Sequence, residues 1–103
     1  MTIFFWLEME KIKVIVKFFA YLRDYIDDGL IEVDLVKGDT VSQLMDYLCN
    51  TYEIRDKLFD NKKNLKSWVS ILKNGREIKF LEGFQTKLEN GDEIAVFPPV
   101  AGG

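Results

Sequence analysis

The chain has 103 residues, 14 basic and 17 acidic, with no histidine and one cysteine, Cys49. That inventory excludes zinc fingers, His-based metal sites, every His-dependent triad and any intrachain disulfide. The length suits one small domain, 48% apolar residues suffice for a core, and a net charge of −3 gives no general drive toward nucleic acid.

The N-terminus carries a five-residue apolar run, Ile3 to Leu7. A spanning helix needs about 20 residues, and a signal peptide needs a basic start and a small-residue cleavage site. Both signatures are missing, so the expected location is cytoplasmic, with no membrane partner. Residues 1–11 read as an N-terminal extension, and Ile3–Trp6 as a segment able to cover a sheet face or mediate self-association.

Residues 12–19 are β-branched and aromatic with a period of two. Ile12, Val14, Val16 and Phe18 form an all-apolar face that belongs in a core. Lys13, Ile15, Lys17 and Phe19 form a mixed face that meets water or a partner. Ala20 to Asp28 is a connection closed by Asp28-Gly29. Its carboxylates Asp24, Asp27 and Asp28 match no calcium loop and read as a solvated turn. Leu30 to Val36 alternates again, with Ile31, Val33 and Leu35 on one side and Glu32 and Asp34 on the other.

Thr40-Val41-Ser42-Gln43 fits a capping box. Val41, Leu44, Met45, Leu48 and Tyr52 then trace one face of an amphipathic helix of about 12 residues. Cys49 borders that face and reads as a buried structural thiol. Residues 53–67 are rich in lysine and read as a solvated loop holding a short helical turn. Trp68 to Lys73 reads as a strand, Asn74-Gly75 as a hairpin turn, and Arg76 to Phe80 as the return strand. Asn90-Gly91-Asp92 turns the chain into a last strand, Glu93 to Phe97, with Ile94 and Val96 inward and Ala95 and Phe97 outward. The order β-β-α-β-β-β predicts an α+β domain. Its mixed sheet of about five strands has the first and last strands central and one main helix on its apolar face.

The sequence then reads Phe97-Pro98-Pro99-Val100-Ala101-Gly102-Gly103. Two prolines end ladder pairing and impose an extended segment. Six extended residues reach roughly 20 Å. Two terminal glycines put no Cβ near the carboxylate, so the tip fits a channel that closes around bare backbone.

These residues resemble a known family. Residues 12–103 are similar to the small subunit of molybdopterin synthase, a ubiquitin-like β-grasp sulfur carrier of the MoaD/ThiS superfamily. The motifs are Val16-Lys17-Phe18-Phe19-Ala20-Tyr21-Leu22-Arg23, the Asp39-Thr40-Val41 helix start, Asn74-Gly75-Arg76, and Asn90 through Gly103. Phe-Pro-Pro-Val before the small residue and Gly-Gly points to the molybdopterin branch over the thiamine branch. The extra N-terminal residues and the lysine-rich 53–67 stretch depart from the usual pattern.

The resemblance implies a β-grasp domain over 12–97, a flexible tail over 98–103, and one chemical residue, Gly103. An E1-like adenylating enzyme would use ATP to activate the Gly103 carboxylate, and a sulfur donor would convert it to a thiocarboxylate. The synthase large subunit, in a heterotetramer, would admit the tail and take the sulfur for the dithiolene. The chain itself would be a non-catalytic carrier binding no cofactor or metal. Gly102 and Ala101 would give clearance, and Val100, Pro99 and Pro98 reach and direction. Phe97, Ala95, Phe19 and Ile15 would form the partner-binding patch. The rival readings are a protein modifier forming isopeptide bonds, a sulfur carrier for thiamine or tRNA thiolation, and a plain interaction module.

Overall fold

The computed structural model describes residues 10–98. Strand β1 (Lys11–Phe18) pairs antiparallel with β2 (Leu30–Val36), from Lys11 opposite Val36 to Lys17 opposite Leu30. Two short 3-10 turns, Ala20–Tyr25 and Asp27–Gly29, join them, where the sequence suggested only a connection. Leu22 and Ile26 from this segment are buried in the core.

Helix α1 (Val41–Tyr52) has the expected bounds. The Thr40 backbone N–H donates to Gln43 Oε1 at 2.7 Å, as a capping box requires. Val41, Leu44, Met45, Leu48 and Cys49 are all buried, so the apolar stripe predicted from the 3.6-residue period is the one that packs. A one-turn helix, α2 (Arg55–Leu58), follows. The stretch 53–67 is therefore more than a solvated loop, because Ile54 and Leu58 are fully buried. Two apolar side chains spaced by one helical turn anchor an otherwise polar segment.

Strand β3 (Ser70–Lys73) is shorter than expected, and Trp68 precedes it, 60% exposed. Asn74 (φ 49°) and Gly75 (φ 86°) both take left-handed backbone, as a two-residue hairpin turn demands. Strand β4 is only Arg76–Glu77, and Ile78–Phe80 coils into a 3-10 turn instead of extending the strand. That turn buries Ile78 and leaves Phe80 exposed, which a period-two strand face does not predict. Strand β5 (Glu93–Phe97) matches the expected span.

The sheet order is β2-β1-β5-β3-β4, with β1 and β5 parallel and the other neighbours antiparallel. The central pair is thus β1 and β5, as expected. Its inner face, Ile12, Val14, Val16, Phe18, Ile94 and Val96, is at most 3% exposed and forms one core with α1. The turn before β5 is tied on both sides. Asn90 Oδ1 accepts from the Lys13 N–H at 2.9 Å, and the Gly91 N–H donates to the Lys13 carbonyl at 2.8 Å. Asp92, 7% exposed, accepts from Asn74 Nδ2 at 2.9 Å and from the Glu89 N–H at 2.8 Å. This stitching sets the register of β5, and with it the point where the chain leaves the sheet.

Candidate functional site

Side chains alternate across a strand, so burying Ile94 and Val96 turns Ala95 and Phe97 to the outer face. The same rule turns Lys13, Ile15 and Lys17 outward on β1. Phe19, one residue beyond β1, keeps the ladder going by donating its N–H to the Val96 carbonyl at 3.1 Å. Its ring stacks on Phe97 with centroids 4.2 Å apart and planes 8° from parallel. Phe19 is half-buried and Phe97 is 38% exposed, so the pair forms an aromatic platform with one accessible side. The platform stands at the end of β5, where the tail begins. Pro98, expected to open the tail, is itself buried. Pro99, Val100, Ala101, Gly102, Gly103 and the Ile3–Trp6 segment lie outside the described residues.

Ala95 sits between Lys17 on β1 and Leu72 on β3. Ile15 shares the face but lies opposite Glu93, one row further from the tail. Lys17 stands between Ile15 and Phe19, and its Nζ meets Glu93 Oε1 at 3.1 Å. The face is therefore an aromatic platform and a separate aliphatic spot, with an ion pair between them. Such an exposed pair contributes little to stability, but it divides the surface. Two contributors went unrecognised in the sequence: half-buried Leu72 beside Ala95, and Leu30, 51% exposed, opposite Lys17. Period-two counting from buried Ile71 or Val33 assigns both to this face.

The described residues present a surface of aromatic and aliphatic side chains beside an ion pair. They contain no cluster of three or more metal-capable side chains, and no helix long and apolar enough to cross a membrane. Cys49, the chain's one thiol, is 3% exposed inside the core. Burial pushes its pKa up from the usual thiol value, against a smaller opposing pull from Arg55. A buried neutral thiol is a poor nucleophile.

Comparison with known proteins agrees with this picture. The chain is 36% identical over 88 residues to small archaeal modifier protein 3 of Haloferax volcanii, spanning 84% of this chain and 95% of that one. It is 37% identical over 79 residues to an Archaeoglobus fulgidus protein provisionally named a sulfur carrier, spanning 76% of this chain and 89% of that one. Its fold matches the crystal structure of small archaeal modifier protein 1 from Haloferax volcanii with a TM-score of 0.77 and 27% identity, over 88% of this chain and 99% of the other. It also matches a Pyrococcus furiosus structure provisionally assigned as molybdopterin converting factor subunit 1, with a TM-score of 0.69 and 30% identity, over 86% and 99% of the two chains. These neighbours share the ubiquitin-like β-grasp: a mixed five-stranded sheet with one main helix. The family model spans residues 16–103, from mid-β1 through the Gly-Gly end, and the chain belongs to the ThiS family of ubiquitin-like sulfur carriers and modifiers.

Proposed function

We propose that the chain is a sulfur carrier whose reactive group is the Gly103 carboxylate, and that it serves as the small subunit of molybdopterin synthase. The observation that carries the reading is the Phe19–Phe97 platform at the root of a Pro-Pro-Val-Ala-Gly-Gly sequence. A rigid aromatic surface fixes a partner beside the point where the tail departs, and the slim tip presents one terminal acyl carbon that carries the sulfur.

A carboxylate is a poor acyl donor because its leaving group would be oxide. In the proposed cycle an E1-like partner joins the Gly103 carboxylate to the AMP moiety of ATP and releases pyrophosphate. A sulfur donor displaces AMP and leaves a thiocarboxylate, nucleophilic as its anion at neutral pH. That sulfur forms a bond to a side-chain carbon of the pterin precursor in the synthase large subunit and displaces the oxygen substituent there, which leaves with its electron pair. Water then cleaves the acyl–sulfur bond, leaving sulfur on the pterin and carboxylate on Gly103. The carrier holds no cofactor in this scheme, and ATP is used by the activating partner. Pterin as acceptor is supported by Phe-Pro-Pro-Val and by the similarity to the Pyrococcus structure.

A second reading, a modifier that forms isopeptide bonds with lysines, needs the same tip and activation. It has the named modifier relatives on its side. Mass spectrometry of the protein from its native host separates the two. Exchange of one oxygen for sulfur at Gly103 supports the carrier, and Gly103 joined to substrate lysines supports the modifier. An unmodified tail during active cofactor synthesis counts against both. Dithiolene formation from the thiocarboxylated protein, large subunit and pterin precursor then tests the acceptor.

A further inference from the structure

Beside the aromatic platform lies a shallow depression of about 180 Å³, lined by Phe19, Lys17, Leu30, Gly29, Asp28 and Arg23. Its two cations differ. Lys17 is committed to Glu93 at 3.1 Å. The Arg23 guanidinium has no ion-pair or hydrogen-bond partner among the described residues, although Asp24, Asp27 and Asp28 follow within five positions. Its stem is nonetheless seated. Gly29 is buried at φ +80°, and a Cβ there would stand 2.8 Å from Arg23 Cγ and 2.8 Å from the Phe18 carbonyl oxygen. Gly29 thus leaves the notch that the Arg23 stem occupies. A side chain packed this way has already lost part of the rotamer freedom that binding would otherwise cost.

We propose that Arg23 is a docking cation that receives a carboxylate of the adenylating enzyme while an apolar side chain of that enzyme covers the Phe19–Phe97 platform. A guanidinium matches a planar carboxylate through two parallel hydrogen bonds. Asp28 lines the same depression without pairing with Arg23, so a singly charged group is accepted more readily than a phosphate dianion. Only the partner's identity rests on the carrier reading; the recognition chemistry stands on Arg23, Gly29 and Phe19.

The test uses the full chain and two blocked dipeptides, acetyl-Phe-Glu-amide and acetyl-Phe-Gln-amide. Binding is followed by NMR at the Arg23 Nε–H and the Phe19 and Phe97 rings. The Glu peptide should bind at least about threefold tighter and shift both sites. In Arg23→Met, which keeps a long stem over Gly29 and loses the charge, the two peptides should bind alike. With the host's adenylating enzyme, the same variant should raise KM about tenfold and flatten its salt dependence, at nearly constant kcat and unchanged melting. Equal binding of the two dipeptides to the native chain, or a native KM for Arg23→Met, overturns the proposal. If the native chain is not adenylated at all, the carrier reading fails, and the dipeptides decide Arg23 by themselves.

Discussion

The stacked Phe19–Phe97 pair should be measurable as a coupling energy. Fully burying a Phe side chain contributes about 1.5–3 kcal/mol. With Phe97 38% exposed, roughly three fifths of that applies, about 1–2 kcal/mol. A stack at 4.2 Å and 8° adds about 0.5–1.5 kcal/mol. Phe97→Ala should therefore destabilise the chain by about 1.5–3.5 kcal/mol, and Phe97→Leu by less, since most of the side-chain volume is kept. The stack itself emerges from a double-mutant cycle with Phe19→Leu and Phe97→Leu, read by urea unfolding at constant m-value. The expected coupling is about 0.5–1.5 kcal/mol. Both rings lie on the outer face and the core strands keep Val16, Ile94 and Val96, so m should not change. A coupling of zero within error would mean that the two rings are merely neighbours and that no preformed platform exists.

Further outcomes follow from other parts of the molecule. Adding one residue after Gly103 should abolish sulfur transfer, scored by thiocarboxylate mass, while the amide NMR spectrum of the body stays unchanged. Asp92→Ala should cost about 2–4 kcal/mol in urea unfolding, because it strands the Asn74 amide and the Glu89 N–H and frees Lys73, now 3.6 Å away. Cys49 should resist thiol reagents in the native state and react at once in denaturant, as its burial requires. Because folding raises the Cys49 pKa, the unfolded chain gives up its thiol proton first. Stability should therefore fall as pH climbs above the ordinary thiol range, about 8.5, and Cys49→Ala should remove that part of the slope. Leu48→Ala, at a fully buried position under the sheet, should cost about 2–5 kcal/mol.

Legibility followed the strength of the local signal. Helix α1 and strands β2 and β5 were readable to the residue because capping chemistry, strict alternation and flanking Gly-Asp turns all agree there. Segments whose form depends on tertiary contact are not legible in the local pattern. The Ile78–Phe80 turn spells a strand, yet it coils to bury Ile78 beside a β4 of two residues. Ile54 and Leu58 were masked by the lysines around them, although one helical turn separates them. At the candidate site the rule of two placed Phe97, Ala95, Phe19 and Ile15 on one face. It could not show that Lys17 reaches across to Glu93 and divides them. Nor could it show that Gly29 makes room for Arg23, since that needs the spatial return of the chain after β1.

Strand β5 is the bridge of the sheet: without it, the β1–β2 ribbon and the β3–β4 hairpin share no hydrogen bonds. Its partner positions on β1 lie far back in the chain, with Ile15 facing Glu93. Pairing over such a separation is slow and comes late. A polypeptide that stops short of Glu93 therefore lacks the strand that joins the two halves of the sheet. Under the proposed carrier function, truncated products would make poor competitors for an activating enzyme, because the loss that removes the C-terminal residues also removes Phe97 and the stack it forms with Phe19. In that reading the topology ties recognition of the chain to its completion.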